Sequence, residues 1–296
     1  MLGLPAPAKL NLFLRVIGRR ADGYHELQTG FVAIGLADSL DFELLDDVRI
    51  ERRGDLTGPP ENDLVVRAAH LLKQQSRSRQ GVKIDLRKRI PTGGGLGGGS
   101  SDAATTLLAL NRLWRLHWER ARLAELALQL GADVPFFLQP GPALGEGVGE
   151  RLRPLALTPC WYALIDPHVA VSTSEIFRSR ELTAHLEAFK IKGFPEGSLI
   201  AGGPSTAPGS ADPDGGCAWR AFGNDLEPIV RHRFAQVDAA LRYLSQFGDA
   251  RMTGSGACVF AAFDTEAQAR QAVDATPAGW SAWAVPGLSE HPLAPW

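Results

Sequence analysis

Six of the seven residues from Gly93 to Gly99 are glycine, and the segments on either side decide what that run can be. Before it, VKIDLRKRI places Val82, Ile84, Leu86 and Ile90 on one face and Lys83, Asp85, Arg87 and Arg89 on the other, the period-two pattern of a strand. After it, SSDAATTLLALNRLW carries Ala103, Leu107, Leu110 and Trp114 at helical spacing, with Ser100 or Ser101 at the capping position and Asp102 in the first turn. The run is therefore read as a strand-to-helix connection.

A helix start exposes unpaired backbone N–H groups and partial positive charge, and glycines let that backbone approach a bulky anion. A tight turn needs one or two glycines. Six of them each add conformational entropy that folding must remove, so the run predicts a phosphate cradle. Gly93-x-Gly95-x-x-Gly98 fits the dinucleotide fingerprint, but that fingerprint requires a second parallel strand soon after the helix. Here a second helix follows, HWERARLAELALQL, with Leu123, Leu126, Ala127 and Leu130 on one face. A Walker loop requires Gly-Lys-Ser/Thr, and the sequence contains no Gly-Lys pair. Protein-kinase HRD and DFG signatures are also missing.

Glycine totals 32 of 296 residues, where average usage would give about 21, so the surplus needs a second location. Seven more glycines lie between Gly193 and Gly216 among Pro195, Pro204, Pro208 and Pro213. That stretch has no periodicity and reads as a surface insertion without chemistry. The net charge of −2 argues against a nucleic-acid binder. No run approaches about 18 apolar residues, so no membrane span is expected. Ala6-Pro7-Ala8 resembles a signal cleavage site but lacks the charged and apolar regions that precede one. Cys160, Cys217 and Cys258 are too few and scattered for a disulfide framework or a zinc site. The expectation is a cytoplasmic chain, monomer or homodimer.

PTGGGLGGGSSDAA, residues 91–104, resembles the ATP-phosphate loop of the GHMP small-molecule kinases. PAKLNLFLRVIGRRADGYHEL at 7–27 and TGSGACVF at 253–260 complete that family's three-motif pattern. With LGADVP at 130–135, the chain is most similar to the branch of the family that acts on a CDP-linked methylerythritol. The resemblance implies an α+β fold of two domains, 1–152 and 153–296, with the active site in the cleft between them. It also implies transfer of the γ-phosphoryl of ATP to the acceptor's 2-hydroxyl, in the non-mevalonate route to isoprenoid precursors.

The resemblance distributes roles over the motifs. Pro91, Thr92, Gly93, Gly94, Gly95, Leu96, Gly97, Gly98, Gly99, Ser100 and Ser101 would hold ATP. Asp133 reads on its own as a capping or turn aspartate after a helix closed by Gly131, and Lys9 as a surface lysine. The family makes Asp133 the catalytic carboxylate, as base or as the group that positions the hydroxyl, and sets Lys9 beside it to stabilise a forming alkoxide. Asn11 shares the Lys9 face of a strand in which Leu10, Leu12 and Leu14 alternate with Lys9, Asn11, Phe13 and Arg15. Tyr24 and His25 suit a cytosine, one by stacking and one by an edge hydrogen bond. Thr173 and Phe177 align with further acceptor contacts, although Phe177 also fits a core position. Gly254, Ser255 and Gly256 read as a hairpin turn that the family places beside the acceptor. Mg²⁺ would arrive with ATP, helped by Ser101. In ENDLVVRAA, Asn62-Asp63-Leu64 departs from the Asp-Asn-Leu expected near the purine, so no adenine residue is assigned.

Overall fold

The computed structural model describes residues 1–55, 59, 62–179, 181–182 and 218–296; the 193–216 insertion lies outside them. Two long strands organise the chain. β1 (Leu4–Arg19) and β2 (His25–Leu45) pair antiparallel along nearly their whole lengths. The other side of β2 takes β5 (Ala143–Gly147), β10 (Ser281–Leu288) and β4 (Gly81–Arg87) in turn. β3 (Ile50–Gly54) lies parallel to β4, and β6 (Arg151–Pro154) pairs with β5. Beyond β10 the sheet continues through β7 (Trp161–Asp166), β9 (Val259–Phe263) and β8 (Ala250–Met252). One sheet path therefore joins the first and last thirds of the chain.

Helices cover this sheet as two separate groups. α1 (Leu64–Ser76), α2 (Gly98–Leu113) and α3 (Arg120–Leu128) bury Leu72, Leu107, Leu110 and Leu123 against Phe42, Ile84 and Leu86 of β2 and β4. α4 (Thr173–Phe177), α5 (Glu227–Arg233), α6 (Ala235–Leu244) and α7 (Glu266–Asp274) close a second core around Ile165, Val237, Leu241 and Val259. A third cluster, with Leu10, Leu12, Ile90, Leu96, Cys258 and Phe260, joins them. It lies directly beneath the glycine run, because Leu96 is the one side chain within that run long enough to anchor it.

The alternation expected along β1 holds only to Asn11. A bulge between Asn11 and Phe13 breaks the register, so Phe13 joins Leu10 and Leu12 in the third cluster while Leu14 enters the second. Gly30 makes the bulge possible: a Cβ there would lie 2.8 Å from the Phe13 ring. Gly131 is not the expected left-handed cap. α3 closes at Gln129, and the Gly131 N–H simply reaches back to the Ala127 carbonyl at 3.3 Å.

Asp63 caps α1, its carboxylate accepting from the Val65 N–H at 2.8 Å and pairing with buried Arg52 at 3.0 Å. That double duty turns Asp63 away from the cleft. Among the described residues no helix is long and apolar enough to cross a membrane.

Candidate active site

The glycine run bends into α2 through three left-handed residues, Gly93, Gly95 and Gly97, with φ of 76°, 77° and 69°. Gly97 itself occupies the capping position, and the first helical bond runs from the Ser101 N–H to the Gly97 carbonyl at 2.9 Å. Gly98, Gly99 and Ser100 line the cleft, and their N–H groups precede that bond, so they are the donors a phosphate would meet. This corrects the expected serine cap. Ser101 is buried inside the helix, its hydroxyl without a hydrogen-bond partner. Asp102 lies past the first turn and pairs with Lys88 at 2.9 Å; Lys88 also holds Asp38.

The loop at 253–256 packs into the glycine run. The Cys258 N–H donates to the Gly94 carbonyl at 3.1 Å, and the Lys9 N–H donates to the Leu96 carbonyl at 2.9 Å. A Cβ on Gly95 would lie 2.4 Å from the Thr253 carbonyl oxygen, and one on Gly94 would lie 2.5 Å from the Cys258 sulfur. Several glycines are thus required by loop-on-loop packing as well as by ligand approach. Burial pushes the Cys258 thiol well up, so it is an inert packing group.

Lys9 emerges from β1 onto this junction. Its Nζ lies 3.4 Å from Asp133 Oδ2 and donates to Asn11 Oδ1. Asn11 continues the chain through its amide to the Thr29 hydroxyl at 2.8 Å, which donates to the Phe13 carbonyl at 2.5 Å. The Asn11 N–H donates to the Thr253 hydroxyl at 2.9 Å. Lys9 is 3% exposed, and the Asp133 side chain is 36% exposed. The cation is therefore locked while the carboxylate reaches into open space. Asp133 opens a 3₁₀ turn, Val134–Leu138, whose buried side chains fix its position, and Phe136 stacks on Phe31 at 4.9 Å.

The far end of the cleft is aromatic. The rings of His25 and Phe177 face each other at 5.5 Å and 34°, with Tyr24 exposed beside them. Burial, with a smaller contribution from Arg19, holds the His25 imidazole below its usual basicity. The Thr173 and Ser255 hydroxyls share a hydrogen bond of 2.6 Å across the cleft wall. A single cleft of about 1000 Å³ gathers every site residue expected from the sequence except Ser101 and Gly256. Gly256 lies behind the wall, where a Cβ would strike the Met252 sulfur at 2.9 Å.

Four participants were not legible in the motifs. Leu64 and Lys88 line the cleft. Thr29 ends the Lys9 chain. Asn224, buried, donates to the carbonyls of Met252 and Gly254 at 2.9 and 2.8 Å and holds the 253–256 loop in place. Only a neighbour-by-neighbour view finds Asn224, since its sequence context is an ordinary helix approach.

A glycine-rich helix start packed beside a lysine–aspartate pair, on a sheet covered by helices, is the arrangement of a small-molecule kinase of the GHMP type. The GHMP kinases N terminal domain matches residues 63–141, and the GHMP kinases C terminal domain matches 218–282. A homoserine kinase from Cytophaga hutchinsonii has the same fold, with a TM-score of 0.69 at 19% identity over 96% of this chain and 93% of that one. More specific likeness comes from 4-diphosphocytidyl-2-C-methyl-D-erythritol kinases. The Thiobacillus denitrificans enzyme is 50% identical over 98% of this chain and 96% of its own, and the Aromatoleum aromaticum enzyme is 48% identical over 99% and 95%. A crystal structure of a 4-(cytidine 5'-diphospho)-2C-methyl-D-erythritol kinase superposes with a TM-score of 0.74 at 36% identity, covering 96% of this chain and 98% of that one. The chain belongs to the 4-diphosphocytidyl-2-C-methyl-D-erythritol kinase family of GHMP kinases.

Proposed function

We propose that the chain transfers the γ-phosphoryl group of ATP to the 2-hydroxyl of 4-diphosphocytidyl-2-C-methyl-D-erythritol, giving the 2-phosphate and ADP. The observation that carries this reading is the arrangement within one cleft: a phosphate cradle at one end, a ring pair at the other, and Lys9 with Asp133 at 3.4 Å between them. A volume of about 1000 Å³ is at the upper end for a small-molecule site, which suits two ligands meeting end to end.

Each residue then has a task. The N–H groups of Gly98, Gly99 and Ser100 take the ATP phosphates. Asp133 accepts the hydrogen bond of the acceptor hydroxyl and receives its proton as the new O–P bond forms and the bond to the β-phosphate oxygen breaks. Lys9 offsets charge on the attacking oxygen, and Asn11 and Thr29 keep its ammonium aimed. A neutral His25 offers one ring donor and one ring acceptor to the cytosine edge, with Phe177 and Tyr24 as apolar surfaces for the base. Thr173, Gly254 and Ser255 border the acceptor's sugar alcohol.

Protein oxygens for a divalent ion are few. Among the described residues no group of three His, Cys, Asp or Glu gathers to hold one, and the Ser101 hydroxyl is buried away from the cleft. The donor set fits a Mg²⁺ that would enter on the phosphates of ATP, with the Ser100 hydroxyl, in the first turn of α2, as the side-chain oxygen that could help hold it. When bound, that ion spreads charge between the transferred group and the leaving ADP.

The division at residue 152 belongs to the same proposal; the two family matches fall one on each side of it. A cytoplasmic location, where ATP is at hand, completes it. The test is ADP release by purified protein with 4-diphosphocytidyl-2-C-methyl-D-erythritol, homoserine or mevalonate. Turnover with the first alone is expected, and turnover only with either of the others would overturn the assignment.

A further inference from the structure

The cleft is lined by four cationic side chains, Lys9, Lys88, Arg19 and Arg178. Lys9 is matched by Asp133, and Lys88 by Asp38 and Asp102. Of the two carboxylates lining the cleft, Asp133 is held by Lys9 and Asp22 by Arg20 at 3.0 Å. Among the described residues, neither Arg19 nor Arg178 forms an ion pair. Both are exposed. Two positive charges with no ion-pair partner among the described residues therefore face one cleft.

Their placement is specific. Arg19 ends β1 and stands in register opposite His25. Arg178 closes α4, directly after Phe177. Each arginine thus neighbours one member of the His25–Phe177 ring pair, from opposite walls. Neither belongs to the elements that carry the glycine run. Arg19 is near enough to His25 to lower its basicity.

We propose that Arg19 and Arg178 form an anion clamp that grips the diphosphate linking cytidine to the acceptor's sugar alcohol, and so select an acceptor carrying that diphosphate. The inference rests on the acceptor reading given above. The physical need is charge: ATP and a diphosphate diester enter the same cleft, and the backbone donors of the glycine run are already engaged by ATP. Two planar guanidinium forks match the paired oxygens of a diphosphate, and they act where the anion leaves the ring pair.

Calorimetric titration of the full chain with CDP, cytidine and ATP tests this. The native protein should bind CDP at least about tenfold more tightly than cytidine, the size expected for charge-assisted hydrogen bonds. Arg19→Gln and Arg178→Gln should each shrink that preference several-fold, and the double variant should abolish it. Cytidine and ATP affinities should stay within about twofold, and Arg178→Lys should restore part of the loss. The clamp is overturned if the variants keep the native CDP-to-cytidine ratio, or if ATP affinity falls as far as CDP affinity. A native protein that binds neither cytidine nor CDP would instead overturn the acceptor reading, and the clamp with it; that outcome is separable because the variants then have no preference to lose.

Discussion

Lys9 Nζ stands 3.4 Å from Asp133 Oδ2, the first fixed by a buried strand and the second by a buried 3₁₀ turn. Because separate elements set the two ends, the pair is preformed before any ligand arrives. Asp133→Asn keeps the shape and removes the carboxylate proposed to accept the proton. Turnover should fall at least roughly a hundredfold, while ATP affinity measured by titration changes less than about threefold. Near-native turnover would remove Asp133 from the proton-accepting role.

The two glycine loops meet at Gly95, whose added Cβ would lie 2.4 Å from the Thr253 carbonyl oxygen. Gly93 shares the left-handed conformation but has open space around its Cα. Gly93→Ala should therefore lose only the conformational penalty, about 1–2 kcal/mol. Gly95→Ala should lose more, and should weaken both ATP and acceptor binding by displacing the 253–256 loop. Thermal unfolding with parallel titrations separates the two; equal effects would refute the packing role of Gly95.

Burial, opposed by Lys88 and aided by Asp38, pushes the Asp102 carboxyl up to about 7. A carboxyl raised in the folded state contributes stability that is full below the ordinary carboxylate range and is lost as pH climbs toward 7. Asp102→Asn should stabilise the protein at pH 8 by roughly 1–3 kcal/mol, leaving Lys88 paired with Asp38. The gain should shrink toward pH 4. A variant less stable than the native protein at pH 8 would show that Lys88 needs both carboxylates.

Burial, with Arg120 adding to it, pushes the His291 imidazole down to about 4. His291 ties down the C-terminal tail. Its Nδ1 accepts from the Leu293 N–H at 3.1 Å, the His291 backbone N–H donates to the Pro140 carbonyl at 2.7 Å, and Arg120 donates to the Leu138 and Ala294 carbonyls. A depressed imidazole gives stability that is present above about 6.5 and lost as pH falls toward 4. Between pH 7 and 4.5 the native protein should lose about 2–3 kcal/mol through this group, with faster hydrogen exchange in 289–296. His291→Gln should flatten that dependence; unchanged acid sensitivity would exclude His291 as its source.

The glycine turn into α2 was legible because its parts are contiguous: a strand, a glycine run and an amphipathic helix follow one another, and local geometry makes the helix-start donors. Tyr24, His25, Phe177 and Thr173 were placed by their motifs, and all line one cleft. The serine cap was misplaced because capping preference is a local statistic. Here Gly97, already left-handed to clear Phe137 and Lys9, starts the helix three residues before Ser100. The β1 alternation failed at a bulge whose cause, Gly30, lies on the partner strand.

The amino-acid sequence by itself determined the chemistry available: bare backbone at a helix start, one lysine, one aspartate and an aromatic end, each written into a short segment. Tertiary structure alone decided which of them meet. Asn11 touches Thr29 and Thr253, Asn224 holds Gly254, and Ser101 is withdrawn from the cleft. The reason is that local pattern reports how a segment prefers to fold. Contacts between distant segments are set by which buried faces and hydrogen-bonding groups can all be satisfied at once, and no single segment records that outcome.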